Sequence, residues 1–312
     1  MASVEDGRST WVTRLCPVCD ASAAAPVWVK GRVRVVQCRC CGMRYVNPAQ
    51  AAWLSGQAYL QRAAYYVSAD KLESDLAPQR FEREVRLFRR YCPTGSVLDV
   101  GCSTGGFLHQ LHARFRGSYE LTGVDVVGPA LAEAQRLGLA TVQGSFLDLD
   151  IGSARFDAVT FWAVLEHVAE PRRFLARAAA VLKPDGYCFI LVPNARSLAF
   201  RLLGSRYRYI MAEHLNYFTA ATLRRLIAAE PAFRLIRLTG THFNPVILWQ
   251  DLWHPRLEVP DAERARLLRR TTALKQNPAL APLRGLYSAV ERCLGWVGLT
   301  DNLVAVLQRR SA

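Results

Sequence analysis

No apolar run in these 312 residues approaches the ~18–20 that a membrane-spanning helix needs, so none is expected. Acid is scarce: 26 Asp and Glu stand against 40 Lys and Arg, a formal net charge of +14. The opening residues, MASVEDGRSTW, carry acid where a signal peptide has a basic start and an apolar stretch, which predicts a soluble, cytoplasmic protein. There is no internal repeat and no low-complexity tract. An apolar share of 51% with 21% charged residues excludes a disordered or collagen-like chain. What is present is length for two domains, or for one large domain with an attachment, and for a core that folds without staples. The nine cysteines are therefore expected as thiols or metal ligands rather than disulfides.

Positive charge gathers at Arg80, Arg83, Arg86, Arg89 and Arg90, and again at Arg196, Arg201, Arg206 and Arg208. Such a surplus steers anionic substrates, nucleic acid or anionic membranes, or is simply a solvated face. From Ser96 onward short apolar runs alternate with helical patterns, which predicts a parallel sheet with crossover helices. Strands are expected at 97–100, 121–125, 140–143, 156–162, 187–192 and 233–239. Helices are expected at 79–91, 106–115, 129–137, 172–182 and 221–229. The stretch 245–299 breaks the alternation with helical, Trp- and Arg-bearing sequence, and 302–308 is a last β-like run. These shifts divide the chain into a cysteine-rich module (1–50), a helical lead-in (51–78), an α/β core (79–244), a helical insertion (245–299) and a final strand and tail (300–312).

Cys16-Pro-Val-Cys19 and Cys38-Arg-Cys-Cys41 are two C-x2-C pairs with eighteen residues between them. Each pair on a tight turn aims two sulfurs at one point, and two such knuckles complete the tetrahedral thiolate set of structural zinc. Val-rich sequence between them suits a hairpin, and Gly42 suits the turn after the second pair. Cys40 competes with Cys38 or Cys41 as a ligand. Arg39 and Arg44 are expected to offset the thiolate charge.

Val97-Leu-Asp-Val-Gly-Cys-Ser-Thr-Gly-Gly-Phe-Leu108 reads as strand, small-residue turn and helix start. Gly101 and Gly105 let a ligand approach the backbone, and the helix start offers unpaired N–H groups. The turn lacks the Gly-Lys-Ser/Thr of nucleoside triphosphate sites. Asp99 suits a cationic ligand rather than a pyrophosphate, and Asp125 ends the next strand where a ribose would offer its hydroxyls.

Asp99-x-Gly101-x-Ser103-x-Gly105 with Asp125 resembles the cofactor motif of class I S-adenosylmethionine (SAM)-dependent methyltransferases, here behind a zinc-ribbon-like module. The resemblance covers roughly 79–239 and the final strand. It extends through Gln143-Gly-Ser-Phe146, the run from Phe156 to His167, and Leu182-Lys-Pro-Asp-Gly186. It implies a Rossmann-like seven-stranded α/β sheet with a small zinc ribbon and a helical C-terminal insertion. By resemblance Asp99, Gly101, Cys102, Ser103 and Gly105 form the cofactor turn, Asp125 and Val126 the ribose site, and Ser145 and Phe146 the adenine edge. Ser103 replaces a frequent glycine, which is tolerable if the turn needs no positive φ there. Trp162 is expected beside the sulfonium, for a cation–π contact, or within the core.

Glu166-His167 follows the fourth strand of the sheet, facing the methyl donor in such proteins. His167 suits proton removal from a hydroxyl or activated carbon, with Glu166 orienting it. Glu213-His-Leu-Asn-Tyr-Phe-Thr219 offers His214 as a second candidate base, and Thr219 as a helix cap. No Asn/Asp-Pro-Pro-aromatic tetrad or Pro-Cys catalytic loop is present, which disfavours DNA base methylation. A small-molecule acceptor is expected; an RNA methyltransferase and a non-catalytic scaffold are the alternatives. The insertion is expected to cap the substrate side, or to dock on a membrane through its arginines with Trp249, Trp253 and Trp296.

Overall fold

Runs such as Val-Leu-Asp-Val and Tyr-Cys-Phe-Ile-Leu-Val barely alternate, and strands of that kind need both faces covered. Seven strands result: β1 (Gly95–Val100), β2 (Tyr119–Asp125), β3 (Ala140–Gln143), β4 (Phe156–Trp162), β5 (Leu182–Pro193), β6 (Phe233–Thr241) and β7 (Asn302–Arg309). The computed structural model, which describes residues 10–150, 152, 155–254, 256, 259–276 and 281–311, pairs them in the order β6–β7–β5–β4–β1–β2–β3. All run parallel except β7, which is antiparallel to both neighbours. The chain leaves through β2 and β3 and returns at β4 beside β1. The crevice at that reversal is where an open α/β sheet binds ligands.

Helices Glu82–Tyr91, Gly106–Arg114 and Gly128–Arg136 bury one face of the sheet, with Phe88, Phe107 and Leu111 inside. Helices Pro171–Val181 and Ala220–Ala228 cover the other, through Leu175, Leu223 and Leu226. Thr219 caps the latter helix in a reciprocal pair with Thr222. The strand and helix positions follow the sequence pattern to within a few residues. Two differences are that β5 starts at Leu182, with a register shift before Tyr187, and that β6 runs on to Thr241.

The cysteine-rich module is a hairpin, Ala24–Lys30 with Val33–Cys38, joined by a third strand, Arg44–Val46. A fourth strand comes from far along the chain: Asn216–Tyr217 pairs with Tyr45 and Arg44. The second histidine motif, expected as loop, is thus an edge strand of the module's own sheet. Asn216 also donates its amide to Leu165 O (2.8 Å) and Val168 O (2.7 Å) and accepts from Arg14. The module and the turn after β4 are held by one side chain.

Between β6 and β7 lie helices Pro245–Trp253, Asp261–Gln276 and Ala281–Trp296. The second of these reads in the sequence as an amphipathic surface element, and among its described side chains arginines pair with acids of other segments. Arg264 pairs with Glu213, and Arg269 with Asp70 and Glu73 of the lead-in. The expected positions Leu268, Arg270 and Leu274 lie outside the described side chains. The lead-in itself is four short helices, Ala51–Leu54, Gln57–Gln61, Ala63–Tyr66 and Ala69–Leu76. Among the described residues no helix is long and apolar enough to cross a membrane.

Replacing Asn216 by Ala strands two buried carbonyls. Asn216→Ala is expected to cost about 1–3 kcal/mol in a urea unfolding titration, the range for orphaned buried groups. A change within error would show that the strand, not the amide, carries the docking.

Candidate functional site

The two cysteine knuckles repeat one backbone design. Asp20 N–H donates to Cys16 O and Gly42 N–H to Cys38 O, each at 3.0 Å, and both donors sit at positive φ (57° and 76°). Gly42 was legible as such a turn residue; Asp20, tolerant of the left-handed region, was not. Cys16 and Cys41 Sγ are 3.4 Å apart and Cys19 and Cys38 Sγ 3.6 Å apart. All four sulfurs lie within 4.8 Å of one another. Four thiolates at about 2.3 Å from a central ion stand about 3.8 Å apart, so the set fits a tetrahedral thiophilic cation. Cys40 is exposed and outside the cluster. Arg44 does not face it either: it stacks on Trp28 at 4.7 Å and donates to Gln37 and Ala195 O. Arg14 is the cation whose field reaches Cys16.

At the crevice, β1 ends in a turn whose three left-handed residues are Gly101, Ser103 and Gly105 (φ 71°, 51°, 76°). The condition under which serine replaces glycine freely here, no positive φ, is not met. A Cβ on Gly101 would come within 2.7 Å of Val164, so only glycine admits the loop after β4 this close. Ser103 N–H and Val127 N–H donate to the Asp125 carboxylate at 2.8 and 2.9 Å. Burial nevertheless raises its pKa, against the pull of these N–H groups and that of Val126. Asp99 is 3% exposed and accepts from Thr160 on β4 at 2.6 Å. Burial pushes its carboxyl up to about 7, with Asp125 adding to the shift. The hydrogen bond from Thr160 links β1 to β4.

The other expected contacts divide between crevice and core. The Cys102 thiol is buried against Gly123 of β2, away from the crevice. The Phe146 ring packs on Phe161 and Phe174 in the core, leaving Gly144 and Ser145 beside the end of β2, where Gly144 N–H donates to Asp125 O. Trp162 packs on Phe107 at 5.1 Å. Ser103 Oγ, Trp162 Nε1 and Glu166 Oε2 are buried without a hydrogen-bond partner among the described residues. Unpaired buried polar atoms around a glycine turn fit a polar ligand in the crevice.

Beyond the turn, Glu166, His167 and His214 bring their ligating atoms within 4.8 Å of one another. His167 and His214 meet edge to face at 4.7 Å, and His214 stacks on Tyr209. Burial pushes Glu166 up to about 8. Burial, helped by Arg62 and Arg264, holds His167 down at about 3. His214 is also held well below the usual range, by burial and by His167. Both imidazoles are neutral at physiological pH. His167 Nδ1 is 3.0 Å from the Tyr59 hydroxyl and 3.0 Å from Glu213 O. The Glu213 carboxylate in turn accepts from Arg62 and Arg264, and Arg62 also grips Asp261. Tyr59, Arg62 and Arg264 were not legible as site residues, and Glu213 was legible only as the first residue of the second histidine motif. Tyr59 and Arg62 lie in a segment without a motif, and only their crowding with Tyr65 and Tyr66 hinted at a buried aromatic face.

A family model described as a methyltransferase domain matches residues 67–230, more than half of the chain. The chain is 29% identical over 163 residues to the ubiquinone biosynthesis O-methyltransferase of Coxiella burnetii, covering 48% of this chain and 68% of that protein. It is 32% identical over 166 residues to the protein of the same name from Thiobacillus denitrificans, covering 48% and 69%. A solved SAM-dependent methyltransferase from Thermotoga maritima, described as a possible histamine N-methyltransferase, aligns at 15% identity and TM-score 0.47 over 83% of this chain and 98% of that one. The family match begins after the thiol centre, Tyr59 and Arg62, and ends before the insertion.

The buried groups set a pH dependence. Glu166 binds its proton more tightly folded (about 8) than unfolded (about 4.5), so its contribution is complete at low pH and is lost as pH rises through 8. His167, depressed from 6.5 to about 3, acts oppositely but only below 6.5. Between pH 6.5 and 8 the carboxyl acts unopposed by this histidine. Unfolding free energy is expected to fall more steeply there in the wild type than in Glu166→Gln, by up to about 1.4 kcal/mol per pH unit. Parallel urea-derived curves for the two proteins would show that Glu166 ionises normally.

Proposed function

We propose that this chain, which belongs to the methyltransferase-domain family and is a SAM-dependent methyltransferase, methylates a hydroxyl oxygen of a small organic molecule. The observation that carries this reading is the Tyr59 hydroxyl on Nδ1 of His167: the site already seats a phenol on a neutral imidazole. The naming of the relatives for O-methylation supports it.

SAM, when bound, supplies an electrophilic methyl group on a sulfonium. Gly101, Ser103 and Gly105 would hold it along the backbone, Asp125 and Val126 at the ribose, and Gly144 and Ser145 at the adenine edge. Asp99 would act indirectly, by fixing β1 against β4. An acceptor hydroxyl takes the place of the Tyr59 hydroxyl on His167, and His167 receives its proton as the oxygen becomes nucleophilic. The imidazolium formed is offset by Glu166, 3.9 Å away, which ionises beside it by releasing its own proton to water in the crevice. His214, wedged between His167 and Tyr209, orients the ring. An activated carbon acid would use the same base.

The four-thiol centre is read as a structural zinc site, since its donors are all protein and leave no open position. On this reading the chain comprises the ribbon (1–50), lead-in (51–78), core (79–244), insertion (245–299) and final strand (300–312).

Three measurements test the proposal. Asp125→Ala should weaken binding of S-adenosylhomocysteine by about 1.5–3 kcal/mol in calorimetry, the cost of a lost hydrogen bond to a charged group; an unchanged affinity would remove the ribose assignment. His167→Ala should abolish methyl transfer from labelled SAM to phenolic acceptors while leaving that affinity intact. Should His214→Ala be the inactive variant instead, the base is His214. Elemental analysis should find one zinc per chain, and chelation should unfold the ribbon; purified protein without zinc would refute the metal.

A further inference from the structure

The exposed tryptophans gather on one end of the molecule. Trp249 and Trp253, 64% and 60% exposed, lie 5.5 Å apart on helix Pro245–Trp253, with Val246 and Leu252 also exposed. The same helix turns Ile247 and Leu248 inward, onto Ala199, Phe200 and Leu203 of helix Leu198–Leu203. That helix exposes Leu202 (54%) and is tied on its other side to the segment after helix Ala281–Trp296, through Leu198 N–H to Leu299 O at 2.9 Å. Just before that tie stand Trp296 and Val297, 87% and 66% exposed. The patch thus spans three chain segments, and no packing demand explains it: each segment already has a separate buried side.

The exposed charge around it is of one sign. Arg196, Arg201, Arg206 and Arg292 are exposed, and none has an acidic partner among the described residues. The acids within 196–208, 244–256 and 288–301 are Asp251, Glu291 and Asp301. Asp251 and Glu291 are buried, on Arg208 and Arg83, and Asp301, partly buried, accepts from Asn244 N–H at 2.6 Å. The location is equally particular. β5 and β6 are parallel to β1 and β4, and β7 starts where they finish, so helices leaving β5 and β6 and the segment entering β7 share the edge of the sheet that carries the glycine turn and His167.

We infer that this end of the protein docks on an anionic lipid bilayer, with Trp249, Trp253 and Trp296 at the headgroup level and Arg201 and Arg206 on the lipid phosphates. Tryptophan favours the membrane–water interface because its ring is apolar and its N–H stays wet. Arginines beside it gain from the surface potential of anionic lipid. The inference does not rest on the acceptor assigned above, and its test requires no turnover.

The experiment is flotation with vesicles of phosphatidylcholine alone or with about a third phosphatidylglycerol. Wild-type protein is expected to float with the anionic vesicles at low salt, progressively less as salt rises, and not with phosphatidylcholine alone. Trp249→Ser/Trp253→Ser/Trp296→Ser and Arg201→Glu/Arg206→Glu should each reduce binding on the order of tenfold, with melting temperature unchanged. Failure of the wild type to float overturns the inference, as does flotation undiminished in both variants. Two further results also overturn it: loss, in the Trp variant, of a wild-type dimer seen by sedimentation, which makes a second copy the occupant, and retention on single-stranded RNA without vesicle binding.

Discussion

Two backbone pairings, Asn216 with Tyr45 and Tyr217 with Arg44, connect the thiol module to the segment that bears His214. Everything around the buried centre leans on them. Leu215 O accepts from Val46 N–H, Asn216 N–H donates to Glu166 O, and the Asn216 amide closes the turn that carries Glu166 and His167. His214 lies two residues before this strand starts. The thiol module is therefore more than an appendage that keeps a terminus folded: it supplies the sheet edge on which two histidine-bearing segments are aligned. A metal that orders the knuckles would order that edge too, because Cys38 ends the strand beside Arg44–Val46.

Burial controls the chemistry of that centre more than any single charge. It raises Glu166 and Asp99 and lowers His167 and His214, so the groups that would normally be charged resist it. The arginines nearby are committed to Glu213 and Asp261. A neutral His167 then has two settings. With a bare Nδ1 it accepts from a hydroxyl, as from Tyr59, and directs an Nε2–H toward Glu166, 3.9 Å away. With Nδ1 protonated it donates to Glu213 O instead. Only the first can take a proton from a hydroxyl at Nδ1, and it is the setting that a seated phenol selects.

What was legible in the sequence was local. The cysteine pairs, the glycine turn, Asp125 and the apolar strands announce themselves because each is a short spacing with one physical meaning. What was not legible depends on long-range pairing. Nothing in Asn216-Tyr217 says that it meets residues 44 and 45, and nothing in Gln57–Gln61 says that Tyr59 reaches His167 across the fold. Ser103 shows a different limit. Its left-handed φ follows from the demand that its N–H point at Asp125, a demand set by the tertiary position of β2 rather than by residue preference. Phe146 and Cys102 lie in the turns after β3 and β1, and their side chains pack inward, which short motif spacing does not reveal.

The positive charge of the chain divides into two populations with different uses. Arg14, Arg44, Arg62, Arg208 and Arg264 are turned inward, where each spans separate segments by donating to carboxylates or backbone carbonyls. A planar guanidinium with five donors suits that task better than an ammonium, and it tolerates partial burial because it is weakly hydrated. Arg196, Arg201 and Arg206 hold nothing together in this way and remain in solvent. The formal charge of +14 therefore overstates the field around Glu166, His167 and His214, where Arg62 and Arg264 are balanced by Glu213 and Asp261. The surplus acts at the rim, where nothing inside the protein answers it.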